Sequence, residues 1–230
     1  MLDQFRSMNR RRLRLLKKTK HPVMQAYLSK PFPQESWDWR LAQFVSLDFE
    51  TSGLDPVRHH ILSYGGVEVF RGAIIFGSAT QQFIRSKDSI PESSAVIHGI
   101  TDDAARAGRP LKEALPLLLE LLSGKLLLVH YRSVELGFLD AACRSLYGSP
   151  FLIPTIDTME LAQRVLKLRD RGVGPNQLRL FNLRDSYGLP RYRAHDSLYD
   201  AITTAELFLV LAAEISPKSE LRIGQLLTRK

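Results

Sequence analysis

Two carboxylates stand two positions apart in a segment that otherwise has the pattern of a buried strand. They are Asp48 and Glu50, in the stretch SLDFETSGLDP at residues 46–56. Because side chains alternate between the two faces of a strand, both carboxylates point away from the face that carries Leu47 and Phe49. A half-exposed strand with a solvated polar face would explain the pattern without any chemistry. The alternative is a metal site, since hard divalent cations prefer oxygen ligands.

Further acids and histidines lie beside predicted helices. In LLLVHYRSVELGFL, a buried strand runs into a helix whose first turn carries Glu135, where the helix dipole alone favours an acid. In RAHDSLYDAITTAELFLVL, His195 precedes a helix and Asp200 lies just over one turn into it. Asp200 flanks an otherwise apolar face, where an acid is costly unless something pairs with it. His98 and Gly99 are expected in a loop between a strand and a helix.

The segments that must position these residues alternate between strand and helix patterns. The strand patterns lie at residues 43–50, 62–70, 73–85, 125–130 and 155–157. The helix patterns lie at residues 110–122, 133–147, 158–168, 176–187 and 196–214. Arg71-Gly72 is a hairpin turn signal, Ser133 is a candidate N-cap, and a loop is predicted at 169–176. We therefore predict an α/β fold in which helices flank one mixed β-sheet.

The composition is that of an ordinary globular protein. The 230 residues are 44% hydrophobic and 24% charged, enough for one full-sized core and an appendage. Cys143 is the only cysteine, so an intrachain disulfide is excluded and a cytoplasmic location is expected. The basic start lacks the apolar stretch of a signal peptide. The apolar runs at 115–122 and 207–213 are too short to span a membrane, so no membrane partner is expected.

In order and spacing, these motifs resemble those of the DEDDh family of 3′–5′ exonucleases, which has the ribonuclease H-like fold. The first motif of the family, Asp-x-Glu-Thr-(Thr/Ser)-Gly-Leu, is matched by residues 48–54. Its His-Gly-Ile-Thr signature is matched by residues 98–101, and its His-x-x-x-x-Asp motif by His195 and Asp200. Within the family, the chain is similar to the proofreading exonuclease subunits of bacterial replicative DNA polymerases.

The resemblance divides the chain into three parts. It implies an exonuclease domain at residues 41–214, between a basic extension at 1–40 and a C-terminal tail at 215–230. The extension holds ten Lys/Arg and three Asp/Glu, whereas the rest of the chain holds 22 and 21, so most of the net charge of +8 lies in the extension. Its residues 1–20 are predicted to form a ragged basic helix that is broken near Pro22. Such a segment often binds nucleic acid or another polyanion, and a solvated or partner-docked tail is the alternative.

The second motif departs from the family pattern His-Asn-x-x-Phe-Asp-x-x-Phe-Leu. Here it reads HYRSVELGFL, which keeps His130 and Phe138. Tyr131 replaces the asparagine, Val134 replaces the first phenylalanine, and Glu135 stands in place of the aspartate. The charge is therefore kept, but the carboxylate lies one methylene further from the backbone.

The resemblance also implies hydrolysis with two metal ions, Mg²⁺ or Mn²⁺, that activate water and neutralise the charge growing on the phosphate. The implied ligands are Asp48, Glu50, Glu135 and Asp200. With an ordinary pKa near ~6.5, His195 would be the general base, the alternative being a helix-start histidine without chemistry. The implied substrate contacts are Thr51, Leu54, His98 and Phe138.

The expected function is a 3′–5′ exonuclease that releases nucleoside 5′-monophosphates from single-stranded or frayed 3′ ends of DNA. A DNA polymerase subunit is a candidate partner. An exoribonuclease that acts on RNA 3′ ends is the alternative in the same class, because members of the family act on either polymer. A catalytically weak module that binds nucleic acid or docks on a polymerase is the alternative from another class. Glu135 and the basic extension motivate that alternative, and metal-dependent release of mononucleotides would exclude it.

Overall fold

The computed structural model of the protein describes residues 3–86, 88–169, 172, 174, 176–216 and 220–228. The strands are β1 (Phe44–Thr51), β2 (Ile61–Phe70), β3 (Ala73–Phe83), β4 (Leu126–Val129) and β5 (Thr155–Asp157). The helices are α1 (Asp3–Lys18), α2 (Pro22–Ser29), α3 (Glu92–His98), α4 (Asp102–Ala107), α5 (Leu111–Leu122), α6 (Ser133–Tyr147), α7 (Thr158–Leu168), α8 (Leu180–Ser186), α9 (Ser197–Ile215) and α10 (Ile223–Leu226). Within these residues, no helix has the length and apolarity that crossing a membrane requires.

One mixed sheet of five strands lies at the centre, in the order β3-β2-β1-β4-β5. β1 pairs antiparallel with β2 and parallel with β4, and β4 pairs parallel with β5. The β2–β3 hairpin turns at Arg71 and Gly72, whose φ angles of 53° and 73° suit a tight turn between right-twisted strands. Helices cover both faces of the sheet, which confirms the predicted α/β class. Each predicted strand agrees with the observed strand to within two residues at either end.

Alternation along β1 divides its side chains between two cores. Leu47 and Phe49 pack on the face that α2, α5 and α6 cover. Ser46 points to the other face, where its hydroxyl donates a hydrogen bond of 2.7 Å to the carbonyl of Ala201 in α9. Asp48 follows Ser46 on that face because the side chains of a strand alternate. β1 therefore presents its carboxylates to α9, as the spacing predicts.

A glycine in β2 allows α9 to approach the sheet. A Cβ atom added to Gly65 would lie 2.2 Å from the backbone nitrogen of Leu198, so no larger residue fits without a shift of the helix. In the sheet register, Gly65 stands directly opposite Asp48. The first turn of α9, which carries Asp200, is therefore held next to the strand that carries Asp48.

The N-terminal extension forms two helices that pack on the sheet. α1 ends at Lys18, and Pro22 begins α2, a position where its missing N–H costs no helical hydrogen bond. Tyr27 and Leu28 of α2 are buried in the core between the sheet, α5 and α6. The buried guanidinium of Arg12 joins α1 to α2 through hydrogen bonds to backbone carbonyls of α2. The region around α2 is therefore packed in a core and is not a solvated tail.

The C-terminal residues also contribute to a core. Leu221, Ile223 and Leu226 are buried against the cluster that includes α7 and α9. Both flanking segments thus share cores with the central sheet. The division of the chain at residues 40 and 214 stays a prediction.

Two local predictions differ from the structure. The helix predicted at 176–187 is shorter: Asn176 has a φ of 61°, which a right-handed helix cannot include, and Arg179 is extended, so the helix begins at Leu180. His98 is the last residue of α3 and not part of a loop, and Gly99 ends that helix with a φ of 69°. α3 and α4 have only seven and six residues, too few to show a helical period in the sequence. Of the loop predicted at 169–176, four residues lie outside the described part: 170, 171, 173 and 175.

Truncation of Leu28 tests whether the extension belongs to the core. Because Leu28 is fully buried, we expect Leu28→Ala to lower the free energy of unfolding by about 2–5 kcal/mol. Leu13→Ala is the matched control in α1, since Leu13 is 46% exposed, and we expect a change within about 0.5 kcal/mol. Urea unfolding followed by circular dichroism measures both. Equal stability of the two variants would show that α2 is not part of the cooperative unit.

Candidate active site

Three carboxylates converge where the end of β1 meets the first turn of α9. Asp48 and Glu50 come from β1, and Asp200 comes from α9. One oxygen atom from each side chain lies within 4.8 Å of the other two. Glu50 and Asp200 are buried, and Asp48 is half-buried as a whole residue. Among the described residues, no Lys or Arg forms an ion pair with any of the three.

Burial and mutual repulsion disfavour the charged forms of these acids. Burial, with repulsion from Asp200, raises the pKa of Glu50 to about 8. Burial likewise raises the pKa of Asp200 to about 7, although a hydrogen bond from the backbone of His195 acts in the opposite direction. The pKa of Asp48 lies well above its ordinary value, first through burial and then through the charges of Glu135 and Asp200. Bound cations would relieve this repulsion, and oxygen-only donors fit Mg²⁺ or Mn²⁺.

Glu135 lies beside this group, in the first turn of α6. It is 2% exposed, and the nearby backbone N–H of Phe49 in β1 acts to lower its pKa, against the larger effect of burial. Its Oε2 atom is buried and has no hydrogen-bond partner in the described part of the chain. Burial raises the pKa of Glu135 to about 8. The structure therefore places Glu135 near Asp48, but not within the group of three mutually close carboxylates.

Asp157, which the sequence analysis did not single out, holds the start of α6. Its carboxylate accepts hydrogen bonds from the backbone nitrogens of Tyr131 at 3.0 Å and Arg132 at 2.9 Å. It also caps its own helix, α7, through Met159 N at 2.9 Å. The prediction that Ser133 caps α6 is wrong, because Ser133 is the first helical residue and a carboxylate from the neighbouring strand binds the turn instead. An acid between a short strand and a helix is a capping signal that marks Asp157 in the sequence.

His130, which matches the histidine of the second family motif, has a structural environment. Its Nδ1 lies 2.9 Å from the hydroxyl of Thr158, and its Nε2 lies 2.9 Å from the carbonyl of Leu178. Burial lowers the pKa of His130. Both ring nitrogens are therefore occupied in joining β4 to α7 and to the segment before α8.

His195 occupies a constrained position just before α9. Its φ of 57° is left-handed, and its backbone N–H donates to Oδ2 of Asp200 at 3.1 Å. The ring packs nearly perpendicular to the ring of Phe181, with centroids 5.2 Å apart and planes at 76°. The residue is exposed, and partial burial of the ring lowers its pKa. The ring is therefore neutral near pH 7 and can accept a proton.

The predicted substrate contacts have different surroundings. Leu54 is 76% exposed on the loop after β1, whereas the Thr51 hydroxyl donates to the carbonyl of Gly53 at 2.8 Å. His98 is buried, and its pKa is lowered by burial and by the nearby His195. Phe138 is buried in the core on the α6 side of the sheet. The structure thus brings His98 near His195, leaves Leu54 accessible and encloses Phe138.

The imidazole of His98 has one nitrogen without a partner. Its Nδ1 accepts a hydrogen bond from the backbone N–H of Ile100 at 3.0 Å. In the neutral ring the proton then lies on Nε2, which is buried and has no hydrogen-bond partner among the described residues. The buried Nε2–H of His98 is therefore a donor without a partner among the described residues, in a side chain close enough to His195 to feel its charge.

Comparison of the sequence with known proteins relates this chain to exonucleases and polymerases. A family model described as Exonuclease (RNase_T) matches residues 45–208. The DNA polymerase III PolC-type of Thermotoga maritima is 34% identical over 168 residues, which are 73% of this chain and 12% of that protein. The PolC-type polymerase of Streptococcus pneumoniae is 25% identical over 178 residues, 77% of this chain and 12% of that protein. The chain therefore spans only a small part of the length of these relatives.

Comparison with solved structures relates the fold to two exonucleases. Exonuclease X in complex with 5′ overhanging duplex DNA has a TM-score of 0.61 at 20% identity, and the match covers 80% of this chain and 98% of that one. E. coli exonuclease I in complex with a dT13 oligonucleotide has a TM-score of 0.67 at 17% identity, covering 75% of this chain and 41% of that one. The likeness confirms the predicted ribonuclease H-like sheet with flanking helices.

The raised pKa values predict that metal-free protein loses stability as the pH rises. In the folded protein, the carboxyl groups with pKa values of about 7 to 8 keep their protons up to that pH. In the unfolded chain, the same groups lose their protons once the pH exceeds the ordinary carboxyl pKa. The folded state therefore binds more protons, so stability is greatest below about pH 4 to 5 for these groups and falls towards pH 8. We expect the Tm in chelator to fall across this range, and Mn²⁺ to raise the Tm more at pH 8 than at pH 5.

Two substitutions separate this effect from other titrations. Glu50→Gln should flatten the pH dependence of Tm in chelator, because the buried carboxyl is removed. Glu92→Gln, which changes an exposed glutamate on α3, should leave the dependence as in the wild type. If both variants kept the wild-type slope and Mn²⁺ raised no Tm, the carboxylates would not form a metal site.

Proposed function

This chain belongs to the exonuclease family, and on that premise we propose that it is a metal-dependent 3′–5′ exonuclease that releases nucleoside 5′-monophosphates from DNA. The observation that carries the proposal is the convergence of Asp48, Glu50 and Asp200 without a basic partner in the described structure. A buried acidic cluster of this kind is unfavourable in itself and becomes favourable when cations bind. That arrangement fits phosphodiester hydrolysis, where charge on the phosphate must be neutralised.

We assign two divalent ions, Mg²⁺ or Mn²⁺, to this site. Asp48, Glu50 and Asp200 would hold them, and Glu135 would join through its unpartnered Oε2 atom, directly or through water. When bound, such ions supply an activated water and neutralise charge on the phosphate and the leaving oxygen. The protein contributes the fixed positions of the carboxylates, because β2 joins the two elements: Gly65 stands opposite Asp48 of β1 in the sheet and allows the first turn of α9 to lie against β2.

His195 would accept the proton of the attacking water. Its lowered pKa keeps the imidazole neutral near pH 7, as a general base requires. The residue is exposed, and its backbone N–H donates a hydrogen bond to Asp200, so the proposed base is held next to a proposed metal ligand. The left-handed backbone of His195 is a conformation that surrounding contacts maintain, which supports an imidazole held in one position.

An exposed leucine and an unpartnered imidazole N–H support two of the four proposed substrate contacts. The exposed side chain of Leu54 offers an apolar surface for the terminal base. The Nε2–H of His98 offers a donor for a phosphate or sugar oxygen. Thr51 would act through its backbone near the 3′ end. Phe138 would support the site from the core, since its ring is not accessible.

The choice of DNA as the polymer rests on the relatives. The sequence relatives are named DNA polymerases, and the solved neighbours contain DNA. A DNA polymerase subunit is accordingly the proposed protein partner. Nucleic-acid binding by α1, whose Arg11, Arg14 and Lys18 are exposed, and the cytoplasmic location both stay predictions.

Digestion of labelled oligonucleotides tests the activity and its polarity. With Mg²⁺ or Mn²⁺, 3′-labelled DNA should release its label as a mononucleotide at once, whereas 5′-labelled DNA should shorten stepwise. Asp48→Asn should abolish both, because it removes a charged oxygen from the centre of the carboxylate group. Asp103→Asn, which changes an exposed acid on α4, is the matched control and should keep full activity.

The same digestion distinguishes the alternatives. Faster shortening of RNA than of DNA would establish an exoribonuclease. Retention of more than a few per cent of activity by Asp48→Asn would refute the metal assignment. Tight binding of both polymers without any release of mononucleotides would establish a binding module.

The length of Glu135 should matter for activity. Its carboxylate is buried beside Asp48, and aspartate would withdraw it by roughly 1.5 Å, the length of one carbon–carbon bond. We therefore expect Glu135→Asp to lower the initial rate on a single-stranded oligonucleotide by at least about tenfold, because such sites tolerate errors of only about 0.5 Å. Higher Mn²⁺ concentrations should recover part of the rate.

Glu135→Ala provides the comparison for this prediction. It should be slower than Glu135→Asp at every metal concentration, since the charge is also lost. A Glu135→Asp enzyme faster than wild type would mean that the longer side chain compromises the site. Wild-type rates for Glu135→Ala would reduce Glu135 to an acid that only stabilises the helix dipole.

A further inference from the structure

We propose that Arg184 of α8 is a positioning residue that fixes the imidazole of His195 through the ring of Phe181. The inference rests on the proposed function, in which His195 is the general base. Arg184 is a cation in an unusual place, because its side chain is only 10% exposed. Buried arginines are rare unless several contacts satisfy them, so its contacts indicate what it does.

The first set of contacts is a stack of three side chains. The guanidinium carbon of Arg184 lies 5.3 Å from the centroid of the Phe181 ring. The same ring meets His195 edge to face, with centroids 5.2 Å apart. Both contacts are attractive, because a cation is attracted to the face of an aromatic ring and two rings attract each other when they pack edge to face. Phe181 thus contacts both a buried cation and the imidazole.

The second set of contacts joins α8 to the segment that precedes His195. Asp185 accepts hydrogen bonds from Arg184, with Nε at 3.1 Å and Nη2 at 3.0 Å. The same carboxylate accepts from Arg191, at 3.2 Å from both Nε and Nη2. Arg191 lies four residues before His195 in the chain. α8 therefore holds this segment by an ionic contact at its start and an aromatic contact at its end.

The conformation of His195 explains why the segment needs such support. A residue other than glycine with a φ of 57° lies in a sparsely populated region, which persists only when surrounding contacts impose it. The residue is also exposed, so packing from the solvent side does not hold it. The contacts that hold it are the hydrogen bond from its backbone to Asp200 and the ring contact with Phe181.

No ion pair joins Arg184 to Asp200 in the described structure. The proposed role of Arg184 therefore acts through Phe181 and not through direct contact with the carboxylate.

The experiment compares Arg184→Met with wild type in steady-state digestion of a single-stranded DNA oligonucleotide. Met keeps much of the length and volume but removes the charge and the planar fork. We expect kcat to fall between about tenfold and a hundredfold, the effect of misplacing a reacting group, with KM within about twofold. Arg184→Lys should recover part of kcat. Arg144→Met is the matched control, since Arg144 is an exposed helical arginine paired with Asp140, and should leave kcat unchanged.

A double-mutant comparison distinguishes positioning from a general structural role. In the His195→Ala background, Arg184→Met should cause little further loss, because there is no imidazole left to position. An equal loss of kcat in both backgrounds would overturn the proposal. So would a raised KM with an unchanged kcat, which would make Arg184 a binding residue.

A measurement on the metal-free protein is independent of activity. The NMR signal of the His195 ring C–H is shifted by the adjacent Phe181 ring, and Phe181→Leu identifies that shift. Arg184→Met should move the signal towards its position in Phe181→Leu, and an unmoved signal would overturn the proposal. If Arg184→Met does not fold, Arg184→Lys and Phe181→Leu carry both tests. An inactive wild type would refute the proposed function, whereas the NMR result would still decide the role of Arg184.

Discussion

Repulsion among buried carboxylates is the constraint on which the rest of this structure depends. Asp48, Glu50 and Asp200 are brought within 4.8 Å of one another, and Glu135 adds a further charge beside Asp48. Burial of one such group disfavours its ionised form, and neighbours of the same sign add to that cost. Contacts outside the carboxylate group must therefore offset this repulsion in the folded protein. Cation binding would turn the same arrangement into a source of stability, since a ligand that binds only the folded state stabilises it.

The contacts that oppose this repulsion come from the backbone and from residues outside the carboxylate group. Gly65 permits α9 to lie against β2, which places Asp200 opposite the strand of Asp48. Asp157 binds the turn that leads into α6 and so sets the start of the helix that carries Glu135. Arg184 supports the other side, behind His195. Asp200, Glu135 and His195 thus each have a neighbour that supports their position and need not touch the substrate, as a precise site requires.

The flanking segments complete the cores on both faces of the sheet. α2 closes the core over α5 and α6, and α10 closes the core beside α7 and α9. This leaves the exposed cations of α1 on a helix that is itself fixed through Arg12 and the carbonyls of α2. The exposed basic residues of α1 therefore belong to a helix that is packed on the folded body, and they do not lie on a separate linker.

Local spacing was enough to predict which residues share a face and which elements carry them. The two-residue interval between Asp48 and Glu50 sets their common face in any strand, and the apolar period of α9 places Asp200 on its flank. Short elements such as α3, and capping by Asp157 across a strand, have no local period to reveal them. The burial of Leu28 and Arg184 was likewise decided by tertiary structure. Burial depends on which distant segments pack together, and the period of a single segment does not contain that information.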